Sequence, residues 1–245
     1  MIFKLTCKLF IGLVFIACVA CEKDNPDRPA NPLNGKTSAI FNPDKSYGSV
    51  TDIDGNEYKT IVIGNQTWMA ENLRTTRYRN GEYIPNVLDN EEWAALTSGA
   101  YCTYNNTSSL DTIATYGLLY NWYAVADERK IAPKGWRVPT INDWDILINQ
   151  LGGDTIASYK MKEVGDLHWD DLSESDNSSG FTALPGGRRY LDKNSNKLGY
   201  YGDWWAMPEY NETSAGFLFL FCWDSTVSRG INYKKNGYSV RCIKN

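Results

Sequence analysis

The chain holds 245 residues, 42% hydrophobic and 22% charged, enough to bury a sizeable core in one domain or at most two. Lys and Arg number 25 against 29 Asp and Glu, a balance that argues against nucleic acid and anionic head groups as partners. Aromatic residues are the excess, at 13% with nine Trp and sixteen Tyr.

The first twenty residues, MIFKLTCKLFIGLVFIACVA, carry Lys4 and Lys8 ahead of an apolar run from Leu9 to Ala20, with no acidic residue. That pattern predicts a secretory signal peptide over residues 1–20, too short for a bilayer span. The run closes on Cys18-Val-Ala-Cys21 and passes at once to Glu22-Lys-Asp24, which resembles a bacterial lipobox. Cys21, at the apolar-to-charged boundary, is the expected lipid acceptor, with Cys18 as its rival. Acyl chains there would hold the protein on a membrane surface, each buried methylene contributing about 0.8 kcal/mol. Cleavage before Cys21 also removes both lysines, so the mature chain is more acidic still.

From Glu22 to Tyr47 the sequence is rich in Asn, Asp, Pro and Lys without apolar periodicity, and residues 21–47 read as a flexible tether. Residues 48–245 show no internal repeat and no second low-complexity stretch, so they read as one domain. Within it, Thr51-Asp-Ile-Asp-Gly-Asn-Glu-Tyr58 sets carboxylates around a glycine, as a calcium loop begins. An EF-hand loop counted from Asp52 would need Gly and Glu where Glu57 and Ile63 stand. Val50, Ile53, Tyr58, Ile61 and Ile63 flank it as strand residues, so the stretch predicts a hairpin turn and no metal site.

Asp89-Asn-Glu-Glu92 pairs a capping residue with a Glu three places on, ahead of Trp93 and Leu96, and predicts a helix ended by Ser98-Gly99. Thr140-Ile-Asn-Asp143 does so more clearly: Trp144, Leu147, Ile148 and Leu151 follow at helical spacing and Gly152-Gly153 stops the helix. Leu118 to Ala126 reads as either a short helix or a buried strand. Gly216 to Trp223 and Gly237 to Ile243 read as strands. The class is α+β.

Asp52-Ile-Asp-Gly-Asn-Glu-Tyr58, Ile63-Gly-Asn-Gln66, Trp68-Met-Ala-Glu-Asn-Leu73, Gly99-Ala-Tyr-Cys102, Tyr116-Gly-Leu-Leu-Tyr-Asn-Trp-Tyr-Ala124, Gly135-Trp-Arg-Val-Pro-Thr140, Trp144 and Gly237-Tyr-Ser-Val-Arg-Cys242 together resemble the Fibrobacter succinogenes major paralogous domain. The resemblance covers residues 48–245 and implies a secreted or surface lipoprotein domain. More distantly, Arg137-Val-Pro-Thr-Ile-Asn-Asp-Trp144, Gly186-Gly187 and Gly237-Tyr-Ser-Val-Arg-Cys242 resemble the signature of formylglycine-generating, sulfatase-modifying enzymes, whose fold is related to C-type lectins. That likeness implies helices packed on a twisted antiparallel sheet with long irregular loops. Fold likeness alone transfers no activity.

The enzymes of that second family use paired cysteines. Here Cys222 and Cys242 stand on separate predicted strands without a Cys-x-x-Cys, so a structural disulfide is expected instead. Cys102 with Cys242 is the expected pair, since both fall inside motifs of the paralogous domain, leaving Cys222 as a buried free thiol. His168, the single histidine, reads as a surface side chain in a loop, with a role as base for Cys222 the lesser reading. Asp170 with Asp171 and Glu91 with Glu92 read as solvated faces or caps, because neighbouring carboxyls do not span a glycosidase cleft. The calcium and sugar motifs of C-type lectins are absent from the sequence.

The run from Gly199 to Asn211 is left as the candidate contact surface. Tyr200, Tyr201, Asp203, Trp204, Trp205, Glu209, Tyr210 and Asn211 are the materials of a carbohydrate platform, and equally of a core loop. Trp204 and Trp205, as neighbours on an extended segment, are expected to point to opposite sides, one into the core and one to solvent. The expected function is a non-catalytic binding or adhesion module on an outer-membrane lipoprotein exposed at the bacterial surface. No cofactor is implied, and a carbohydrate or surface-protein ligand fits. An enzyme on the formylglycine-generating scaffold is the alternative.

Overall fold

The computed structural model describes residues 30–170, 175–191 and 195–245. The signal peptide, Cys18, Cys21 and the first part of the tether lie outside the described residues. The first half of the domain carries β1 (Gly48–Thr51), β2 (Glu57–Ile63), β3 (Gln66–Met69), α1 (Asn90–Ala95), β4 (Tyr101–Cys102), α2 (Leu110–Tyr116), β5 (Leu119–Tyr120) and α3 (Trp122–Ala126). Then come β6 (Trp136–Arg137), α4 (Ile141–Leu151), α5 (Asp154–Met161), β7 (Arg188–Arg189), β8 (Ser195–Asn196), β9 (Tyr201–Glu209), β10 (Ser214–Phe221), β11 (Ser228–Tyr233) and β12 (Ile243–Lys244). One sheet runs β1-β2-β3-β12-β6, a second runs β11-β10-β9, and β4 with β5 and β7 with β8 form short ladders. Every one of these strand pairings is antiparallel, so the chain is a mixed α+β fold.

Local chemistry explains the clearest elements. Thr51 faces Glu57 across the β1–β2 hairpin, and Gly55 turns it at φ +80°. Asp52 Oδ1 accepts the backbone N–H groups of Asp54 (2.9 Å) and Asn56 (3.0 Å); Oδ2 accepts from the Asn56 amide (2.9 Å) and the Tyr58 hydroxyl (2.6 Å). Its acceptor positions are thus spent on the turn. α4 opens with a reciprocal capping box between Thr140 and Asp143, and Gly152 closes it in the left-handed region. α1 is capped by Asp89 as expected but ends at Leu96, whose extended ψ of 137° stops it before Ser98-Gly99. Residues 118–126 are both things in turn: Asn121 ends β5 and caps α3 through the Ala124 N–H. The expected strand from Gly237 joins the first sheet only at Ile243; Gly237, Tyr238 and Ser239 make single bridges to Arg189, Tyr120 and Trp204.

β9 divides the interior. Trp204 enters a core with Trp68, Trp144 and Phe181, while Trp205 enters a second core with Phe217 and Tyr238. The two indoles do point to opposite sides, but both are 0% exposed, which corrects the expectation of one surface member. A strand with a packed layer on each face has no solvent side. Each indole N–H is also spent inside, on Asn72 Oδ1 and on the Tyr120 carbonyl, both at 2.8 Å.

Two further expectations are corrected. The compact unit starts at Asn31, so residues 31–47 do not behave as tether. Asn31 donates to the Asp54 carbonyl and Asn56 Oδ1, Asn34 to the Gly55 carbonyl, and Asn42 to the Asn177 carbonyl. Asn side chains here satisfy backbone groups that a strand ladder would otherwise pair. Cys102 and Cys242 form no disulfide with each other, so the expected Cys102–Cys242 bond is corrected. Cys102 packs with Trp93 and Leu119, and Cys242 lies in the separate core around Trp205; each acts as a small apolar side chain.

Because both tryptophans are core, Trp204→Ala and Trp205→Ala should each lose about 3 to 5 kcal/mol of stability. Urea unfolding followed by intrinsic fluorescence measures this, and a near-wild-type midpoint for either variant would contradict the two-core arrangement.

Candidate functional site

The eight residues of the aromatic run separate along β9. Asp203, Trp204 and Trp205 are wholly buried and therefore removed from the candidate contact surface. Asp203 receives Arg188 in a forked pair at 2.6 and 2.7 Å. Burial pushes the Asp203 carboxyl up to about 7, with Arg188 opposing. Asn211 is a turn former: its Oδ1 accepts the N–H groups of Thr213 (3.0 Å) and Ser214 (2.9 Å).

Tyr200 and Tyr201, at the start of β9, build an aromatic ledge with the end of β10. Alternation along β10 sends Leu220 and Cys222 inward and leaves Phe221 half-buried and Trp223 66% exposed. The Cys222 N–H donates to the Tyr200 carbonyl (2.8 Å) and so fixes the register of the two strands there. Trp223 meets Tyr200 edge-on at 5.7 Å and Phe221 at 5.3 Å. Phe221 stacks on Tyr201 at 4.6 Å, and the Arg188 guanidinium sits 3.7 Å from the Tyr201 ring centre. Polar groups border the rings: Lys197 Nζ lies 5.2 Å from the Tyr200 ring, and a hydrogen bond to Asp170 raises the Tyr200 hydroxyl. The sequence reading missed Trp223. Strand alternation beside a buried Cys222 was the signal for it.

Glu209 and Tyr210 stand at the far end of β9, on a groove of about 600 Å³ between β9, β11 and the start of α4. Its walls are Ile141, Met207, Pro208 and Ile231, and Tyr210 is 66% exposed at its rim. Glu209 is paired with Lys234. The α4 wall is held by Arg137, which forks onto Asp143 at 2.5 and 2.7 Å. Burial would raise the Asp143 carboxyl, but Arg137 and Thr140 outweigh it and hold the group at about 2.

Neither cysteine offered for redox chemistry by likeness is set up as a nucleophile. Burial pushes the thiols of Cys102 and Cys242 above their ordinary values, and Cys222 is 2% exposed. His168 is not a surface loop residue but 8% exposed, with Tyr116 edge-on at 5.5 Å. Its Nδ1 lies 2.5 Å from Glu163 Oε2 and its Nε2 2.9 Å from Ser38 Oγ. These partners come from segments 5 and 130 positions away, so local sequence gave no sign of them.

A family model described as the Fibrobacter succinogenes major domain matches residues 61–244. No curated protein and no solved structure matches the chain.

Asp143→Asn should cost about 1 to 2 kcal/mol through the lost cap and ion pair, discounted for the half-exposed Arg137. Since the native carboxyl is depressed, its contribution is complete above the ordinary value near 4 and is lost as pH falls toward about 2. Urea midpoints of wild type and variant should therefore differ at pH 6 and converge only as pH falls to about 2. A constant gap would show that the ionised pair is not the source.

Proposed function

The chain belongs to the Fibrobacter succinogenes major domain family, and we propose that it is a surface binding module that takes glycans on the ledge of Trp223, Tyr200, Phe221 and Tyr201. The observation that carries this reading is Trp223, a large indole 66% exposed and braced edge-on by two further rings. Rigid aromatic side chains give contact area at low entropic cost, and the C–H face of a sugar ring suits a π surface. Asp170 and Lys197 beside Tyr200 supply an acceptor and a donor for hydroxyls. Binding there requires no chemistry, and the buried Cys222 and Cys242 give no support to cysteine catalysis on a formylglycine-generating scaffold.

The reading includes a C-type-lectin-like arrangement of helices on twisted antiparallel sheets, with the ledge at a loop-bearing end of the β9–β10 pair. It also includes a lipid on Cys21 that keeps the module at the outer surface of the bacterial envelope. Cys21→Ser should move the protein from membranes to the soluble fraction and abolish acyl labelling. The same behaviour from Cys18→Ser, with Cys21→Ser still anchored, would reassign the acceptor.

A glycan array on the lipid-free protein tests the ligand class. Trp223→Ala should keep the wild-type melting temperature, since the indole is exposed, and weaken the best array hit at least tenfold, about 1.4 kcal/mol. Tyr210→Ala, in the groove at the other end of the strand pair, should bind as wild type. The reverse pattern would move the site to the groove, and no hit on the array would overturn the glycan reading.

A further inference from the structure

Neither the ledge nor the groove uses the cluster around His168. We propose that Ser38, His168 and Glu163 form an acyl-transfer site in which Ser38 is the nucleophile and short-chain carboxylic esters are the substrates. The proposal stands apart from the glycan reading and departs from the non-catalytic expectation drawn from sequence.

The geometry has the order that such chemistry requires. Ser38 Oγ is 2.9 Å from His168 Nε2, and His168 Nδ1 is 2.5 Å from Glu163 Oε2. Nucleophile, base and orienting carboxyl are thus joined in one line, each within hydrogen-bond reach of the next. Exposure falls along the same line: Ser38 is exposed, His168 is 8% exposed and Glu163 is fully buried. The residue that carries the reacting hydroxyl is therefore exposed, while the group that orients the base is not.

The hydrogen count gives each bond a direction. Glu163 Oε1 accepts the Ile40 N–H at 2.5 Å, which leaves Oε2 to accept from His168 Nδ1–H. Nε2 is then the acceptor for the Ser38 hydroxyl. Thr115 completes the arrangement: its Oγ1 accepts the Ser38 N–H and donates its own proton to Ser38 Oγ, both at 3.0 Å. Thr115 is a positioning residue. Tyr116, perpendicular to the imidazole at 89°, fixes the ring plane.

The step balances without any further reactant than water. As Ser38 Oγ forms a bond to the ester carbonyl carbon, its proton passes to Nε2 and the carbonyl π pair moves onto oxygen. Collapse breaks the bond to the alkoxy oxygen, which leaves as the alcohol with the Nε2 proton, and acyl-Ser38 remains. Water then adds to that carbonyl, giving a proton to Nε2; the Ser38 Oγ–acyl bond breaks, a carboxylic acid leaves, and Ser38 recovers its proton. The flanking Thr37 and Ala39 are small, which suits a short acyl group arriving from solvent.

The full chain in detergent is treated with a fluorophosphonate probe, and the modified peptide is identified by mass spectrometry. Ser38 should carry the adduct. Hydrolysis of p-nitrophenyl acetate should fall at least a hundredfold in Ser38→Ala and in Glu163→Gln, which keeps the shape of the side chain, each measured below its own melting temperature. If His168→Ala fails to fold, the labelling of wild-type Ser38 still decides the matter. An adduct absent from Ser38, or wild-type hydrolysis by Ser38→Ala, would overturn the proposal and leave the cluster as a clasp for residues 31–47.

Discussion

A buried cation ties this fold together. Arg241 is 0% exposed and its bonds run to neutral oxygens: Asn72 Oδ1 at 2.9 and 3.1 Å, the Phe181 carbonyl at 2.7 Å, and the Met69 and Thr182 carbonyls at 3.3 Å. Burial pulls its guanidinium down to about 9, with Glu71 opposing, so it remains charged at neutral pH. An interior charge is tolerated only when its donors are met by well-placed acceptors, and removing one partner typically costs several kcal/mol. The end of β3, residues 181–182 and the chain preceding β12 must therefore hold fixed positions around it. Asn72 extends the knot, because the same Oδ1 accepts the Trp204 indole N–H and its amide donates to the Tyr116 carbonyl at 2.9 Å.

The consequences reach both candidate regions. Trp204, anchored on Asn72, sets which face of β9 meets the first sheet and α4, so Trp205 must enter the other core. With both faces of β9 covered, its aromatic surface can reach solvent only at the strand ends, where Tyr200, Tyr201 and Tyr210 stand. In the other direction, the Tyr116 carbonyl held by Asn72 places the Tyr116 ring against His168 and, one residue earlier, Thr115 against Ser38.

What the sequence made legible was local. The Asp89 and Thr140 caps, the Gly152 stop and the Asp52 turn each depend on partners within a few positions, and each was readable from spacing. Asn72 and Arg241 stood inside recognisable motifs, but their roles depend on a contact across 169 positions. The same limit governs the errors. Alternation placed Trp204 and Trp205 on opposite faces, yet whether a face is wet depends on layers contributed by distant segments. Residues 31–47 have the composition of a linker, and only the turns and carbonyls they meet make their Asn side chains structural. Cys102 and Cys242 stand inside motifs and fill separate cores, and motif membership carries no information about pairing.

The ledge and the His168 cluster are neighbours through one short stretch of backbone. The Asp170 N–H donates to the Gly199 carbonyl at 2.8 Å, and the Asp170 side chain bonds the Tyr200 hydroxyl. Asp170 is two residues from His168, a backbone span of at most about 7 Å. The surface that offers rings for stacking and the serine that faces solvent are thus coupled to opposite ends of the 168–170 segment. The groove at the far end of the nine-residue β9 lies roughly 30 Å of strand away and shares none of these contacts. Its apolar walls come from the start of α4, the end of β9 and β11, and Arg229 of β11 bridges Asp145 of α4 and Asp154 of α5.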